Sequence, residues 1–402
     1  MREVEILRKW FEKFHLIGKT PEGGVTRLGY TVQENEMHST LKRIALEEGF
    51  HYEADPLGNS FVYLDNKKPF WMIGSHLDSV PNGGCYDGVA GVLAGLLVLK
   101  WIKESRKDIP LKVVAFRCEE SSRFGRATIG SSFMTGKDPL DFSRLMDSEG
   151  KTLFDAMQEA GFSPEAYCIE GVQGYLELHI EQGRVLEEKG LKLGIVTSIA
   201  APTRFRLKII GKQEHSGTTP MGMRRDALVA AAEVIRLVEE LGLNESGYST
   251  VATVGTIKVL PGAMNVIPGY AELGIDIRGV DRESIKRVID GLTAGLKEIA
   301  LQRKIEWKLE EISKEEPVVL DEKIVECLEN AARLEEVDYL KMASGAGHDA
   351  MVMAKITKAG MLFIPCKEGI SHNPNEEANF EDILTGARVM LRFLEEGCRC
   401  FY

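Results

Sequence analysis

The stretch Ile73-Gly-Ser-His-Leu-Asp-Ser-Val-Pro-Asn-Gly-Gly-Cys-Tyr-Asp87 constrains this chain more than any other, because coordinating side chains gather where an apolar run stops. Phe70, Trp71, Met72 and Ile73 read as a core strand, and the Gly/Pro/Asn-rich loop after them can hold His76, Asp78 and Asp87 near the strand's carboxyl end. Gly88 to Leu99 reads as an apolar helix, which puts Asp87 at a loop-to-helix junction. Imidazole and carboxylate donors in this mixture suit a hard-to-borderline divalent cation, so the segment reads as half of a two-metal site. A tight turn with a helix-capping Asp87 and a hydrogen-bonded His76 accounts equally well for the segment alone. Partners elsewhere in the chain must decide.

At 402 residues the chain exceeds what one hydrophobic core usually serves, and two domains are expected. A net charge of −11 without any Lys/Arg-rich run argues against nucleic acid as a partner and suits a small-molecule enzyme. Residues 1–18 carry Arg2, Glu3, Glu5, Arg8, Lys9, Glu12 and Lys13 between apolar residues at helical spacing, the pattern of an amphipathic helix and not of a signal peptide. No apolar run approaches membrane length. Seven cysteines, an odd number without framework spacing, point to reduced thiols and a cytoplasmic protein. Cys398 and Cys400 form a Cys-x-Cys tail, a minor metal-binding candidate.

The first half of the chain alternates helices (near 2–17 and 34–48) with strands (near 60–65, 70–75 and 111–117), as an α/β layer protein does. The strand Leu111 to Phe116 runs into Arg117-Cys118-Glu119-Glu120. Two adjacent carboxylates there form either a solvated acidic pair or a metal ligand next to a general base. Tyr175 to Gly183 alternates like a half-buried strand, with Glu177, His179 and Glu181 on one face, directed either to the surface or into a site. From Pro202 to about Glu315 the expected order is βαββαβ, the split arrangement of a ferredoxin-like sandwich. Its polar residues of note fall in connections and strand ends: His215, Asn265 and Arg278, each of which also reads as an ordinary turn or solvated residue. After Pro317 the α/β alternation resumes, through Ser344-Gly-Ala-Gly-His348-Asp349, a strand at 360–365, a loop holding His372 and a closing amphipathic helix at about 380–396. The expected organisation is a mixed-sheet α/β metallohydrolase catalytic domain, residues 1–201 and 316–402, with an inserted ferredoxin-like α+β domain, residues 202–315.

Gly74-Ser-His-Leu-Asp-Ser-Val, Tyr86-Asp-Gly, Glu119-Glu120, Leu178-His-Ile-Glu-Gln-Gly183, His215-Ser-Gly-Thr-Thr-Pro-Met221, Asn265-Val-Ile-Pro-Gly269, Ser344-Gly-Ala-Gly-His-Asp349 and Ile370-Ser-His-Asn-Pro374 together resemble one family. It is the amidase/hydantoinase/carbamoylase branch of the co-catalytic zinc aminoacylase and carboxypeptidase family. N-carbamoyl-L-amino acid hydrolases, allantoate amidohydrolases and β-ureidopropionases belong to this branch, and the motifs run in order from residue 74 to 374.

The resemblance implies two divalent metal ions per subunit: zinc, or manganese, cobalt or nickel. His76 and His179 would serve the first, Glu120 and His372 the second, and Asp87 would bridge them. Asp78 would orient His76, and Glu119 would be the general base acting on a metal-bridging water. His215 would stabilise the oxyanion, while Asn265 and Arg278 would hold a substrate carboxylate. Gln182, Gly345 and His348 fall in motifs that line the same pocket. The insert would be a lid and dimerisation domain of a homodimer, in which His215 acts in cis or reaches the neighbouring subunit's site. Two departures stand beside the ligands: Cys85-Tyr86 where relatives carry a basic residue and Phe, and Ser121 where Gly is common. Cys85 is a candidate for oxidation, with plain packing the stronger alternative.

A histidine at position 179, where peptidase relatives place an acid, favours a ureido or linear amide bond over a peptide bond. The function implied is a metal-dependent amidohydrolase acting on N-carbamoyl-L-amino acids. The alternatives are an allantoate amidohydrolase, an aminoacylase or dipeptidase of the same fold, and a catalytically dead binding or dimerisation protein. The last is disfavoured because no ligand and no base is missing.

Overall fold

A computed structural model describes residues 2–136, 142–164 and 167–397. The Cys398-x-Cys400 tail lies outside the described residues. The described residues divide into two compact units: those within 1–197, 320–344 and 348–397 form the first, and 198–319 with 345–347 the second.

The first unit opens with α1 (Arg2–His15) and α2 (Val32–Glu47), followed by β1 (His51–Ala54), β2 (Ser60–Tyr63) and β3 (Phe70–His76). Helix α3 (Val89–Ser105) comes next, then β4 (Leu111–Phe116), the short helices α4 (Ile129–Met134) and α5 (Leu153–Glu159), β5 (Val172–Ile180), α6 (Val185–Lys189) and β6 (Leu193–Ile199). From Val89 to Leu99 helix α3 carries no polar side chain, and every one of those residues is buried. It runs past the expected Leu99 to Ser105, because Trp101, Ile102 and Lys103 continue the helical pattern until Arg106 closes it in the left-handed region.

The second unit carries β7 (Ala201–Ile210), β8 (Glu214–His215), α7 (Ala227–Glu245), β9 (Val251–Leu260), β10 (Val266–Ile267), β11 (Tyr270–Gly279), α8 (Arg282–Arg303), β12 (Glu306–Lys314) and β13 (Val318–Val319). Its main sheet has the order β12-β7-β11-β9, antiparallel throughout. With β7, β9, β11 and β12 as first to fourth strands, this is the split βαββαβ order that the alternation predicts. Phe205, Leu207 and Ile209 of β7 and Leu273, Ile275 and Ile277 of β11 face Val234 and Val238 of α7 and Val288, Leu292 and Leu296 of α8 in one core. The opposite sheet face is charged, with Arg204, Arg206 and Lys208 set against Asp276, Glu272 and Glu310.

The chain then completes the first unit with α9 (Glu322–Leu334), β14 (Tyr339–Ser344), α10 (Asp349–Met353), β15 (Lys358–Ile364) and α11 (Phe380–Gly397). Strands order as β1-β2-β4-β3-β5-β15-β6. The central β4, β3, β5 and β15 are mutually parallel, and β2 and β6 flank them antiparallel, which makes the sheet mixed. Parallel strands end at one edge, and in open α/β sheets ligands bind just beyond that carboxyl edge. His76 ends β3, Glu119 and Glu120 follow β4, His179 is next to last in β5, and His372 lies in the loop after β15.

The half-buried reading of 175–183 does not hold. Every residue from Gly174 to Ile180 is buried, because β5 sits between β3 and β15 in a sheet covered on both faces. Glu177 and His179 therefore point into the protein, and surface exposure of that face is excluded. Among the described residues no helix is long and apolar enough to cross a membrane.

Candidate metal centre

Each candidate ligand side chain hangs from a backbone whose conformation its neighbours fix. Gly88, at φ +66°, lets the chain turn from the loop into α3 against His76: a Cβ there would lie 2.5 Å from the His76 carbonyl oxygen. That turn brings Asp87 back beneath the end of β3. Cys118, at φ +51°, bends the chain just past β4, so the two carboxylates that follow do not continue the strand's alternation. Asp78 locks this bend by accepting the backbone N–H of Glu119 on Oδ1 (3.0 Å) and that of Glu120 on Oδ2 (2.9 Å). Buried Glu34 adds a further brace, accepting the N–H groups of Cys118 (2.8 Å) and Tyr30 (2.6 Å) and the Arg117 guanidinium (2.8 Å).

The candidate ligand atoms form two groups that share one carboxylate. Asp87 Oδ1 lies 3.3 Å from His76 Nε2 and 2.8 Å from His179 Nε2. Asp87 Oδ2 lies 3.2 Å from His372 Nε2, which is 3.1 Å from Glu120 Oε1. In each trio, His76-Asp87-His179 and Asp87-Glu120-His372, the candidate ligand atoms lie within 4.8 Å of one another.

The other ring nitrogens show which lone pairs are free. His76 Nδ1 is 3.3 Å from both the carboxylate Oδ1 and the backbone oxygen of Asp78, and His179 Nδ1 is 2.9 Å from the Ile180 carbonyl. With Nδ1 donating, neutral imidazoles aim the Nε2 lone pair at Asp87, a repulsive pairing that only a proton or a cation relieves. Proton affinities follow suit. Burial disfavours charge on His76, yet its hydrogen bonds to Asp78 and Asp87 lift it well above the ordinary histidine range. Asp87 and then Glu120 lift His372 to about 11. Burial alone would raise Asp87, but the imidazoles of His179, His372 and His76 hold it well below the usual carboxylate range. A cluster that demands positive charge this strongly, through nitrogen and oxygen donors with braced second nitrogens, fits a pair of divalent cations.

Glu119 belongs to neither trio. Its side chain is buried with Oε2 4.0 Å from His76 Nε2, and burial lifts its carboxyl well above the usual range. Gln182, at φ +59°, donates from Nε2 to Asp87 Oδ2 (2.8 Å) and lies 3.3 Å from His372 Nε2. His348 is buried, its ring 4.6 Å from that of His179 and nearly edge-on to it, with Nε2 2.9 Å from Ser344 Oγ. Burial and the His179 charge keep it well below the ordinary range, hence neutral. Cys85 is half-buried outside both trios, and burial pushes its thiol up, which lowers its reactivity and fits packing better than oxidation. Ser121 is half-buried at the following turn, where its carbonyl accepts the Gly125 N–H.

His215, Asn265, Arg278 and Gly345 all fall in the second unit. His215 pairs with Val266 in the short β8–β10 ladder, and the Asn265 carbonyl accepts the Ser216 N–H at 3.1 Å, so these two residues are neighbours. Arg278 is not with them. It lies at the other end of β11 from Tyr270, roughly 27 Å away at about 3.4 Å per residue. There it hydrogen-bonds Asp276 through Nε (2.8 Å) and a terminal nitrogen (3.2 Å). Within one chain, β11 therefore holds Arg278 well away from the His215 and Asn265 pair.

Sequence reasoning missed Glu34, Ser371 and Glu376. Glu376 is buried, and its Oε1 accepts the N–H groups of Tyr86 (2.8 Å) and Asp87 (3.0 Å). A contact across almost 290 positions of sequence leaves no local signal. The only trace is a glutamate two residues beyond the Ile370-to-Pro374 motif.

A model of peptidase family M20/M25/M40 matches residues 72–396. The chain is 38% identical over 398 residues to an N-carbamoyl-L-amino-acid amidohydrolase of Pseudomonas sp. (strain NS671), covering 96% of each. It is 33% identical to an allantoate amidohydrolase of Escherichia coli (strain K12), covering 97% of this chain and 96% of that one. The crystal structure of an amidase of the hydantoinase/carbamoylase family from Burkholderia multivorans superposes with a TM-score of 0.88 at 34% identity, covering 97% of either chain.

Proposed function

The chain belongs to peptidase family M20/M25/M40, and from that premise we propose that it is a metal-dependent amidohydrolase cleaving the ureido C–N bond of N-carbamoyl-L-amino acids. The observation that carries this reading is the shared Asp87 carboxylate, with two imidazoles on one oxygen and a His–Glu pair on the side of the other, in a chain alike over nearly its whole length to an enzyme named for that activity. The match to the allantoate amidohydrolase supports allantoate, also a ureido compound bearing a carboxylate, as the second reading.

His76, Asp87 and His179 would hold one divalent cation and Asp87, Glu120 and His372 another. Bound there, the pair supplies Lewis acidity toward the scissile carbonyl and lowers the pKa of water. Glu119, buried beside the trios and committed to neither, takes the proton from the attacking water and delivers it to the leaving nitrogen. Asp78 keeps the His76 proton on Nδ1 and holds Glu119 and Glu120 by their backbone. His348, neutral and packed on His179, keeps that ring in place.

A homodimer through the second unit completes this reading. The edge strand β9 leaves its outer backbone unpaired, with Val251, Ile257 and Leu260 each about half exposed, the usual setting for strand pairing with a second copy. The distance between Asn265 and Arg278 supports a site that takes Arg278 from one chain and His215 with Asn265 from the other. Cys85, Cys118, Cys168 and Cys366, thiols outside any disulfide, support a reducing compartment such as the cytoplasm.

The test is a substrate panel. Protein loaded with Zn2+, Mn2+ or Co2+ is assayed for ammonia release from N-carbamoyl-L-amino acids and allantoate, and for hydrolysis of N-acetyl amino acids and dipeptides. Turnover of ureido substrates alone is expected, and activity confined to dipeptides overturns the reading.

A further inference from the structure

The Ser371 hydroxyl carries one hydrogen and faces two carboxylates. Its Oγ lies 3.1 Å from Asp87 Oδ2 and 2.9 Å from Glu376 Oε2. Gln182 Nε2 approaches the same Oγ at 3.4 Å as a donor, which leaves the Ser371 hydrogen only the two carboxylates to choose between. Asp87 Oδ2 is the oxygen that faces His372 in the second trio. Gln182 Nε2 already donates to that oxygen at 2.8 Å, so a Ser371 hydrogen donated to Asp87 Oδ2 takes the lone pair that remains for the second cation, whereas one donated to Glu376 leaves it free.

Glu376 is fixed for this task. Its Oε1 is held by the N–H groups of Tyr86 and Asp87, which sets the direction of Oε2 toward Ser371. The carboxyl packs against Gly84, where a Cβ would come within 2.0 Å of the Glu376 Cδ, so no larger residue fits at that place in the loop. Neither Ser371 nor Glu376 is a member of either trio. We propose that Glu376 is a positioning residue that draws the Ser371 hydroxyl hydrogen away from Asp87, leaving Asp87 Oδ2 open to the second cation. The inference rests on the two-cation reading of the site.

Glu376→Gln separates this role from scaffolding. The Tyr86 and Asp87 N–H groups still require an acceptor, so the amide oxygen takes the Oε1 place and the NH2 group faces Ser371. That NH2 donates to Ser371 Oγ, and the hydroxyl hydrogen has only Asp87 Oδ2 left. Metal-free wild-type, Glu376→Gln, Ser371→Ala and double-variant proteins are titrated with Mn2+, with calorimetry giving affinities and electron paramagnetic resonance counting free ion. His372→Ala identifies which equivalent belongs to the second trio. Glu376→Gln is expected to weaken that equivalent by about 10–100-fold, the range typical of groups that orient metal ligands, and to leave the other unchanged. Adding Ser371→Ala is expected to restore it, and Ser371→Ala alone to leave it no weaker than in wild type.

Unchanged affinity in Glu376→Gln, or a double variant as weak as Glu376→Gln, overturns the inference while the two-cation reading stands. Fewer than two equivalents bound by the wild type overturns the two-cation reading itself. Should Glu376→Gln fail to fold in a thermal melt, Ser371→Ala alone decides, because loss of second-site affinity there would make the hydroxyl a support of Asp87 and not its competitor.

Discussion

Asp78 holds Glu119 by the backbone: the Asp78 Oδ1 that sits 3.3 Å from His76 Nδ1 also accepts the Glu119 N–H at 3.0 Å. One carboxylate thus sets the tautomer of a candidate ligand and the position of the candidate base together. In Asp78→Asn one of the two N–H acceptors becomes an NH2 group that must face a backbone donor. The bend at 118–120 then shifts, and a buried polar group loses its partner, a cost of about 1–3 kcal/mol. Asp78→Asn is expected to lower both Mn2+ affinity and kcat by about 10–100-fold. Titration and initial rates check this; a fall in kcat with full metal affinity would limit Asp78 to placing Glu119.

Glu119→Gln tests the base separately from the ligands. The amide fills the same volume but cannot take a proton, so kcat should fall by about 100- to 10,000-fold. Uptake of Mn2+ should stay at the wild-type stoichiometry, because Glu119 is in neither trio. Full turnover on the best ureido substrate would remove Glu119 from the mechanism.

Asp55 gives a pH-dependent prediction away from the trios. Its carboxylate accepts the N–H groups of Leu57 and Asn59 and the Asn59 side-chain amide, but burial prevails and raises it to about 6. The unfolded value is about 3.9. The folded state therefore binds the proton more tightly, so this group disfavours folding increasingly as pH rises from 4 and most fully above 6. Between pH 5 and 7 wild type should lose about 1 kcal/mol of stability relative to Asp55→Asn. Denaturant melts of both proteins at the two pH values measure the difference; an opposite slope would show that the three hydrogen bonds outweigh burial.

What the sequence made legible follows from where the information lies. In the second unit the strand and helix periods are intact, so the βαββαβ order can be read directly, and the sheet order β12-β7-β11-β9 follows. The side chains His76, Asp87, Glu120, His179 and His372 stand out through their motifs, and the structure brings their ligand atoms together. Alternation misled at β5, since a strand between two parallel neighbours is buried on both faces and its polar residues face inward partners: Glu177 accepts hydrogen bonds from Ser75 Oγ and the Ala350 N–H. The braces were not legible at all. Glu34 reads as one more polar residue of an amphipathic helix, and Glu376 as a residue of a polar loop, until the fold brings each to backbone N–H groups far away in sequence. Arg278 and Asn265 lie only thirteen positions apart, and the ten-residue length of β11 is what separates them.

That separation yields the sharpest test of assembly. If each site takes Arg278 from one chain and His215 from the other, His215→Ala and Arg278→Ala homodimers should both be nearly inactive, since each site lacks one group. In a mixed dimer one site combines the intact Arg278 of the His215→Ala chain with the intact His215 of the Arg278→Ala chain, and activity returns at that site alone. Both sites stay defective if the two residues act within one chain. Differently tagged variants, co-expressed and purified through both tags, should therefore recover about half of the wild-type kcat per dimer. Failure of the doubly tagged dimer to exceed either parent would show that a single chain supplies both residues to a site and would overturn the crossed arrangement.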